Sequence, residues 1–536
     1  MLRLLCILFC FTHAAHAQVS DRVDPEAASG VTQHKAVSTN AFMVVSAHPL
    51  ASQAGYAVLK QGGHAVDAMV AVQTMLGLVE PQSSGLGGGA FALYYDAKSN
   101  TLTTFDARET APMQADESLF LDAEGDTLGF FEAVVGGRSV GVPGTPKLLW
   151  DLHQRYGTLP WKNLLQPAIK QAQSGFEVSP RLSASITADQ LRLASDATTA
   201  AYFLPKGEPL QAGAQLHNPD YAQSLSQLAQ KGVDWFYQGP IAAQIVEKVR
   251  RAANPGKLSL QDFADYKVIE RPPVCLDYRA HKVCGMGPPS SGAHTVGQIL
   301  GILEQYDLSQ FAPDDPQAWH LISEASRLAF ADRGRYLADP DYVTIPEGLL
   351  DKDYLKQRST LIDPKSAQPG FEAGLPPGAI PMTNGHTHEQ PSTTHFVIVD
   401  RTGNVLSVTS TIENAFGSRL MVGGFLLNNE LTDFSFKPSD EQGLIANRVE
   451  GGKRPRSSMA PTIVFKNNQP RFALGSPGGS RIINYVANTL VRLIDWQMPA
   501  QTAINAPHIS ARFDQVDIEA GSTYESMQRS FEQLGH

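Results

Sequence analysis

Between residues 46 and 79 apolar side chains recur every third or fourth position, and Gly62-Gly63 interrupts them, so the pattern predicts two helices in tandem. The stretch that follows, PQSSGLGGGAFALYY at 81–95, breaks this period with glycines and then runs into an apolar-aromatic strand. A phosphate-cradling loop needs a strand before it and a helix after it. Here the order is reversed, so the glycines read as close backbone packing or a wall near an active site. Farther on, 147–156 is a punctuated helix with Thr145 as N-cap, Pro146 in the first turn and Gly157 as the stop. Helical periodicity returns at 161–173, 221–231, 241–252 and 316–336. The segment 368–392 is rich in glycine, proline and polar residues and has no period, which predicts a linker or mobile loop. So long a structureless stretch in a compact enzyme calls for a reason, and ending at a processing site would be one. Beyond it the strand pattern dominates, at 395–399, 405–411, 424–428, 462–465 and 471–474. Helices early and strands mostly late predict an α+β sandwich in place of a parallel βαβ sheet.

The first two late strands lie in PSTTHFVIVDRTGNVLSVTST, residues 391–411. Asp400 to Asn404 has hairpin-turn chemistry, with Gly403 suited to the left-handed position of a three-residue loop. Pairing Asp400 with Asn404 sets Thr393 opposite Thr411. A four-residue loop would move the match by one place and keep them neighbours. Ser407, Thr409 and Thr411 share one face of the second strand. A hydroxyl residue at the head of a strand, just after a long loop, is a place where scission would leave an N-terminal threonine. Such a threonine carries its own base, since the freed amine takes the hydroxyl proton. Threonines are common in strands, so Thr393 gains its weight from the preceding segment and the hydroxyl stripe together.

Composition narrows the class. Arg3, the apolar run 4–11 and Ala15-His16-Ala17 form a secretory signal with cleavage before Gln18. The run is too short to span a bilayer, so a secreted or periplasmic protein with no membrane anchor is expected. The net charge of −10 argues against nucleic-acid and anionic-membrane partners. Cys275 and Cys284 flank an Arg279-Ala280 turn, and pairing Tyr278 with His281 sets them opposite each other, as a disulfide or as two buried thiols. His386 and His388 lack a third ligand at helical spacing, and His395 belongs to the block that follows. No metal or cofactor is expected.

The motifs TTHFVIVD, NNELTDFS, KRPRSSMAPTIV and GSPGGSRI resemble the signature blocks of the γ-glutamyltransferase family, and EPQSSGLGGGAF, FDARETAP and GPPSSGAHT resemble its large-subunit blocks. The resemblance implies an N-terminal-nucleophile hydrolase with a four-layer αββα core, assembled from two subunits cut from one precursor. It divides the chain into a signal peptide (1–17), a large subunit (18–392) and a small subunit (393–536), the last truncated relative to family members. It implies self-cleavage between Ser392 and Thr393, Thr393 as nucleophile, Thr411 as its positioner, and Gly478 and Gly479 as oxyanion donors. Arg108, Ser457 and Ser458 would hold the substrate α-carboxylate, and Glu430 and Asp433 its α-ammonium. Glu413 stands where many members have asparagine, which would strengthen a cation contact or raise a carboxyl pKa by like-charge repulsion. The stretch 435–452 is short with Phe436 as its lone aromatic, which predicts an open pocket without a gating lid. The implied activity is hydrolysis or transfer of γ-glutamyl groups from compounds such as glutathione, to water or to amino-acid or peptide acceptors. A cephalosporin or glutaryl acylase on the same scaffold and a non-processing γ-glutamyl-binding protein are the alternatives.

Overall fold

The computed structural model describes residues 34–385, 392–513 and 515–536. The signal segment, His386 and His388 lie outside them. The core strands are β1 (Met43–Val45), β2 (Gly89–Asp96), β3 (Thr101–Ala107), β4 (Ile269–Arg271), β5 (Val274–Tyr278), β6 (His281–Gly285), β7 (Thr394–Val399), β8 (Val405–Thr411), β9 (Thr462–Lys466) and β10 (Gln469–Leu474). The helices that cover them are α1 (Pro49–Lys60), α2 (Ala65–Val79), α3 (Thr145–Tyr156), α4 (Trp161–Ser174), α5 (Gly292–Leu303), α6 (Pro316–Tyr336) and α7 (Ile482–Ile494).

One sheet runs β1-β7-β8-β2-β3-β4 and the other β10-β9-β6-β5, both antiparallel throughout. The period-2 alternation of β2 divides the layers. Ala90, Ala92 and Tyr94 join the core beneath α1 to α4, whereas Phe91, Leu93 and Tyr95 join the core shared with the second sheet and α5 to α7. Both sets are buried, so this strand reads as a continuous apolar run. The result is helix, sheet, sheet, helix, as expected.

The hairpin that heads the late strands has the three-residue loop. The Asp400 N–H donates to the Asn404 carbonyl at 3.1 Å, and Gly403 sits at φ +88°. The register that follows sets Thr394 opposite Ser410 and Thr411 opposite Gly89. The glycine cluster is there for close packing: a Cβ on Gly88 would fall 2.0 Å from the Thr411 carbonyl oxygen, and one on Gly87 2.0 Å from that of Leu426. Cys275 pairs with Cys284 in register, and the two form a disulfide.

Three expectations need correction. The cap of α3 is Gly144, not Thr145. A side chain at 144 would meet the Ala107 carbonyl and the Tyr266 hydroxyl at 2.1 Å, and the Thr145 N–H is spent on the Gly88 carbonyl. The strand expected at 424–428 shrinks to Phe425–Leu426, paired with Met421–Val422, because the Asn428 amide is committed to the Gly87 and Gly141 carbonyls. The segment 368–385 is irregular but tied down. Its Gln368 N–H donates to Glu324, its Gly374 N–H to Asp332, and the Tyr336 hydroxyl to the Gly374 carbonyl. Helix α6 thus supplies polar groups that replace the missing ladder. Phe436, the aromatic of the short 435–452 stretch, stacks on Phe120 at 4.5 Å between centroids, inside a small satellite core.

Candidate active site

Thr393 immediately precedes β7, and only 4% of it is exposed. Its Oγ1 lies 2.7 Å from the Ser392 carbonyl oxygen and 3.4 Å from Thr411 Oγ1. The Thr411 hydroxyl reaches the same Ser392 oxygen at 2.8 Å. The Glu413 N–H donates to Thr411 Oγ1 at 2.9 Å, which leaves the Thr411 proton free to point at that carbonyl. Ser392 is itself pinned, its hydroxyl donating to the Gln82 carbonyl at 2.7 Å. The bond between Ser392 and Thr393 is therefore held with a hydroxyl nucleophile on one side and a hydroxyl donor on its carbonyl.

Thr393, Thr411, Glu413, Arg108, Glu430, Asp433, Ser457, Ser458 and Gly479 line one cavity, with Met459 and Ile482 as its apolar members. Sequence reasoning had gathered all of these but the last two. Gly478 stands next to the cavity at φ +133°, a conformation suited to glycine. With Gly479 it leads into a short 3₁₀ turn ahead of α7. Among the described residues neither glycine N–H has an acceptor, so both are available to an oxyanion.

The expected open pocket is not what the uncut chain presents. The cavity holds about 20 Å³, room for little more than a water. The cause is Arg108, which sits fully buried with Nη1 against Glu430 and Nη2 against Asp433. Its Nε donates to the Pro455 carbonyl at 3.1 Å and Nη2 also to the Arg456 carbonyl at 3.0 Å. Cation and anions thus neutralise one another across the cavity. One Glu430 oxygen, Oε2, is buried without a hydrogen-bond partner among the described residues. Glu413 adopts φ +73°, unusual for a side chain of its size, and accepts from the Asn429 amide.

Sequence reasoning missed two buried charges beside this cavity. Arg333 of α6 donates to the Ser458 hydroxyl; an arginine at the interval set by Ala329 and Tyr336, on a buried helical stripe, was the available signal. Glu109, next to Arg108, is fully buried, and both its oxygens lack hydrogen-bond partners among the described residues. Burial pushes its carboxyl up to about 8, against the pull of Arg108 and with help from Asp433 and Asp106. A carboxyl raised in the native state favours folding below its ordinary range, and that advantage is lost as pH rises towards 8. Glu109→Gln should accordingly melt at a higher temperature relative to wild type at pH 8 than at pH 5, by several degrees. Parallel melting profiles across that range would remove Glu109 from the titrating set.

His395 is structural. Its Nδ1 bonds Thr409 Oγ1 at 2.9 Å, and burial pushes the imidazole down to about 3, so the ring is neutral. Among the described residues no group of three potential ligands could hold a metal.

A four-layer αββα sandwich with a threonine at the head of a strand between the facing sheets is the architecture of the N-terminal-nucleophile hydrolases. The γ-glutamyltranspeptidase family model matches residues 51–536, and the chain belongs to that family. It is 40% identical over 484 residues to the glutathione hydrolase proenzyme of Bacillus subtilis (strain 168), covering 87% of this chain and 80% of that one. Among solved structures, cephalosporin acylase from Bacillus halodurans superposes with a TM-score of 0.83 at 28% identity, over 96% of this chain and 91% of the acylase. The γ-glutamyltranspeptidase of Helicobacter pylori superposes with a TM-score of 0.60 at 34% identity, over 62% of this chain and 95% of that one.

Proposed function

We propose that the chain is an exported precursor that cuts itself between Ser392 and Thr393 and then acts on γ-glutamyl amides such as glutathione. The observation that carries the reading is the hydroxyl of Thr393 lying 2.7 Å from the carbonyl oxygen of its own preceding bond, with Thr411 donating to that oxygen. In scission the Thr393 oxygen attacks the Ser392 carbonyl carbon, and the negative charge that develops on the Ser392 oxygen is stabilised by the Thr411 hydroxyl donating to it. The C–N bond breaks, the nitrogen takes the hydroxyl proton, and an ester remains. The amine is free from that point, and water then hydrolyses the ester to the Ser392 carboxylate and the Thr393 hydroxyl.

In turnover the amine accepts the hydroxyl proton while the oxygen attacks the γ-amide carbonyl. The Gly478 and Gly479 N–H groups receive the oxyanion, each worth about 3 kcal/mol of barrier. The leaving amine departs with the proton, and water or an acceptor amine resolves the γ-glutamyl ester. The cycle is a ping-pong route and needs no cofactor.

The charge of the pocket favours this donor over glutaryl. Arg108 lines the cavity together with three acids, Glu413, Glu430 and Asp433. An α-carboxylate would take over part of Arg108, and an α-ammonium would satisfy the acids this releases, Glu430 Oε2 included. Glutaryl carries no ammonium, so it offers these acids no partner of its own. Matched γ-glutamyl and glutaryl anilides test this directly: γ-glutamyl is expected to lead by at least tenfold in kcat/KM, and a preference for glutaryl would make the enzyme an acylase.

A further inference from the structure

Backbone N–H groups stabilise an oxyanion only if the chain that carries them is already held in place, and glycines hold themselves least well. Gly478 and Gly479 sit at φ +133° and +56°. The loop 475–481 that carries them is fixed at its start by contact: a Cβ on Gly475 would fall 2.3 Å from the His395 ring. Its far end is fixed by charge. Arg481 Nε and Nη2 both donate to Asp517 Oδ2, at 3.1 and 2.9 Å. Arg512 Nη2 donates to the same oxygen at 3.1 Å, and Arg512 Nη1 donates to Ser480 Oγ. Asp517 and Arg512 belong to a hairpin, β11 (Ile509–Arg512) and β12 (Gln515–Ile518), which sets Asp517 opposite Ser510. That hairpin is anchored on the helices. The Asn488 amide donates to the Ile509 carbonyl at 2.7 Å, the Ala511 N–H to Asn484 Oδ1 at 3.2 Å, and the Ser326 hydroxyl to the Ala511 carbonyl at 2.6 Å. Two guanidiniums thus converge beside the residues that follow Gly479, and the carboxylate between them offsets their repulsion.

We propose that Asp517 is a positioning residue for the oxyanion donors: it ties Arg481 to Arg512 and so holds the loop that presents the Gly478 and Gly479 N–H groups. The assignment rests on the reading above, in which those groups receive the oxyanion during turnover. Asp517 does not line the cavity and acts only through the two arginines. Scission makes a different demand, because its charge develops on the Ser392 oxygen and is met by Thr411. Loosening the loop should therefore slow turnover and spare scission. The Asp517 side chain is 26% exposed, so a neutral replacement leaves groups that water can reach, and the fold should survive it.

The test follows scission on a denaturing gel and cleavage of a γ-glutamyl anilide in the same preparations. Asp517→Asn should lower kcat about tenfold, a part of the roughly 10²–10³ lost when an oxyanion donor is removed outright. KM should stay within about twofold, since the weakened contact belongs to the transition state. The half-time of scission should also stay within about twofold of wild type, whereas a general loosening of the fold would slow both reactions. Asp517→Glu keeps the charge and should recover most of the lost kcat. Arg481→Gln cuts the same tie from the loop side, and it serves in place of Asp517→Asn should the latter not fold. The double variant Arg481→Gln, Asp517→Asn should be no more than about twofold worse than the poorer single one, because both changes break one link. An unchanged kcat, scission slowed by the same factor as turnover, or single losses that multiply would each overturn the proposal. Wild type that is cut into two chains yet inert on the anilide would instead overturn the γ-glutamyl reading, and this assignment with it.

Discussion

Thr393→Ala is expected to run as one uncut band on a denaturing gel and to turn over a γ-glutamyl anilide no faster than background. The same oxygen is asked to perform both reactions. It first attacks the Ser392 carbonyl, whose oxygen lies 2.7 Å from it and accepts from Thr411, and later attacks the substrate. Alanine removes the attacking atom and also leaves residue 393 without a free amine, so no base is generated. Losing a nucleophile in a concerted site costs on the order of 10⁶ in rate. Wild type should give two bands, for residues 18–392 and 393–536, and Thr393→Ser should still yield both, more slowly. Turnover by an intact Thr393→Ala chain would show that the nucleophile lies elsewhere.

Arg108→Met is the second large effect, and it acts on stability as well as rate. The guanidinium neutralises Glu430 and Asp433, all three being buried. Removing one partner of a buried ion pair costs about 3–5 kcal/mol, because the other charge stays where it is. The variant should melt well below wild type. For the fraction that folds, kcat/KM towards the γ-glutamyl anilide should fall on the order of 10²–10³-fold. Arg108→Lys should recover part of the stability but little of the binding, since a point charge cannot pair both acids in a fork. A variant as stable and as active as wild type would mean that Arg108 neither organises the acids nor meets the ligand.

The parts of this fold that were legible in the sequence are those decided by short-range chemistry. Helix α6 runs from Pro316 to Tyr336 as its period predicted, and the three-residue turn at 401–403 fixed the register that brings Thr393 beside Thr411. The glycines at 87 and 88 could be read as packing residues because no helix follows them. Less was legible where distant groups decide. Gly144 displaced Thr145 as a cap because of two oxygens contributed by residues 107 and 266. The pinned course of 368–385 depends on Glu324 and Asp332, whose side chains carry no local mark of that role. The closed pocket belongs to the same kind. Arg108, Glu430 and Asp433 were each identifiable, but that they pair with one another inside the cavity is a property of three dimensions.

The order of the first sheet has a consequence for the cut molecule. Strands β7 and β8 come from beyond the scission point, yet they lie between β1 on one side and β2 on the other, both from before it. Neither fragment can leave without unzipping a buried ladder along its whole length and exposing hydrophobic surface on both faces. The nicked product should therefore behave as a single thermodynamic body: dilution will not part it, heating will melt both fragments in one transition, and separated fragments will not regain the native sheet merely by being mixed.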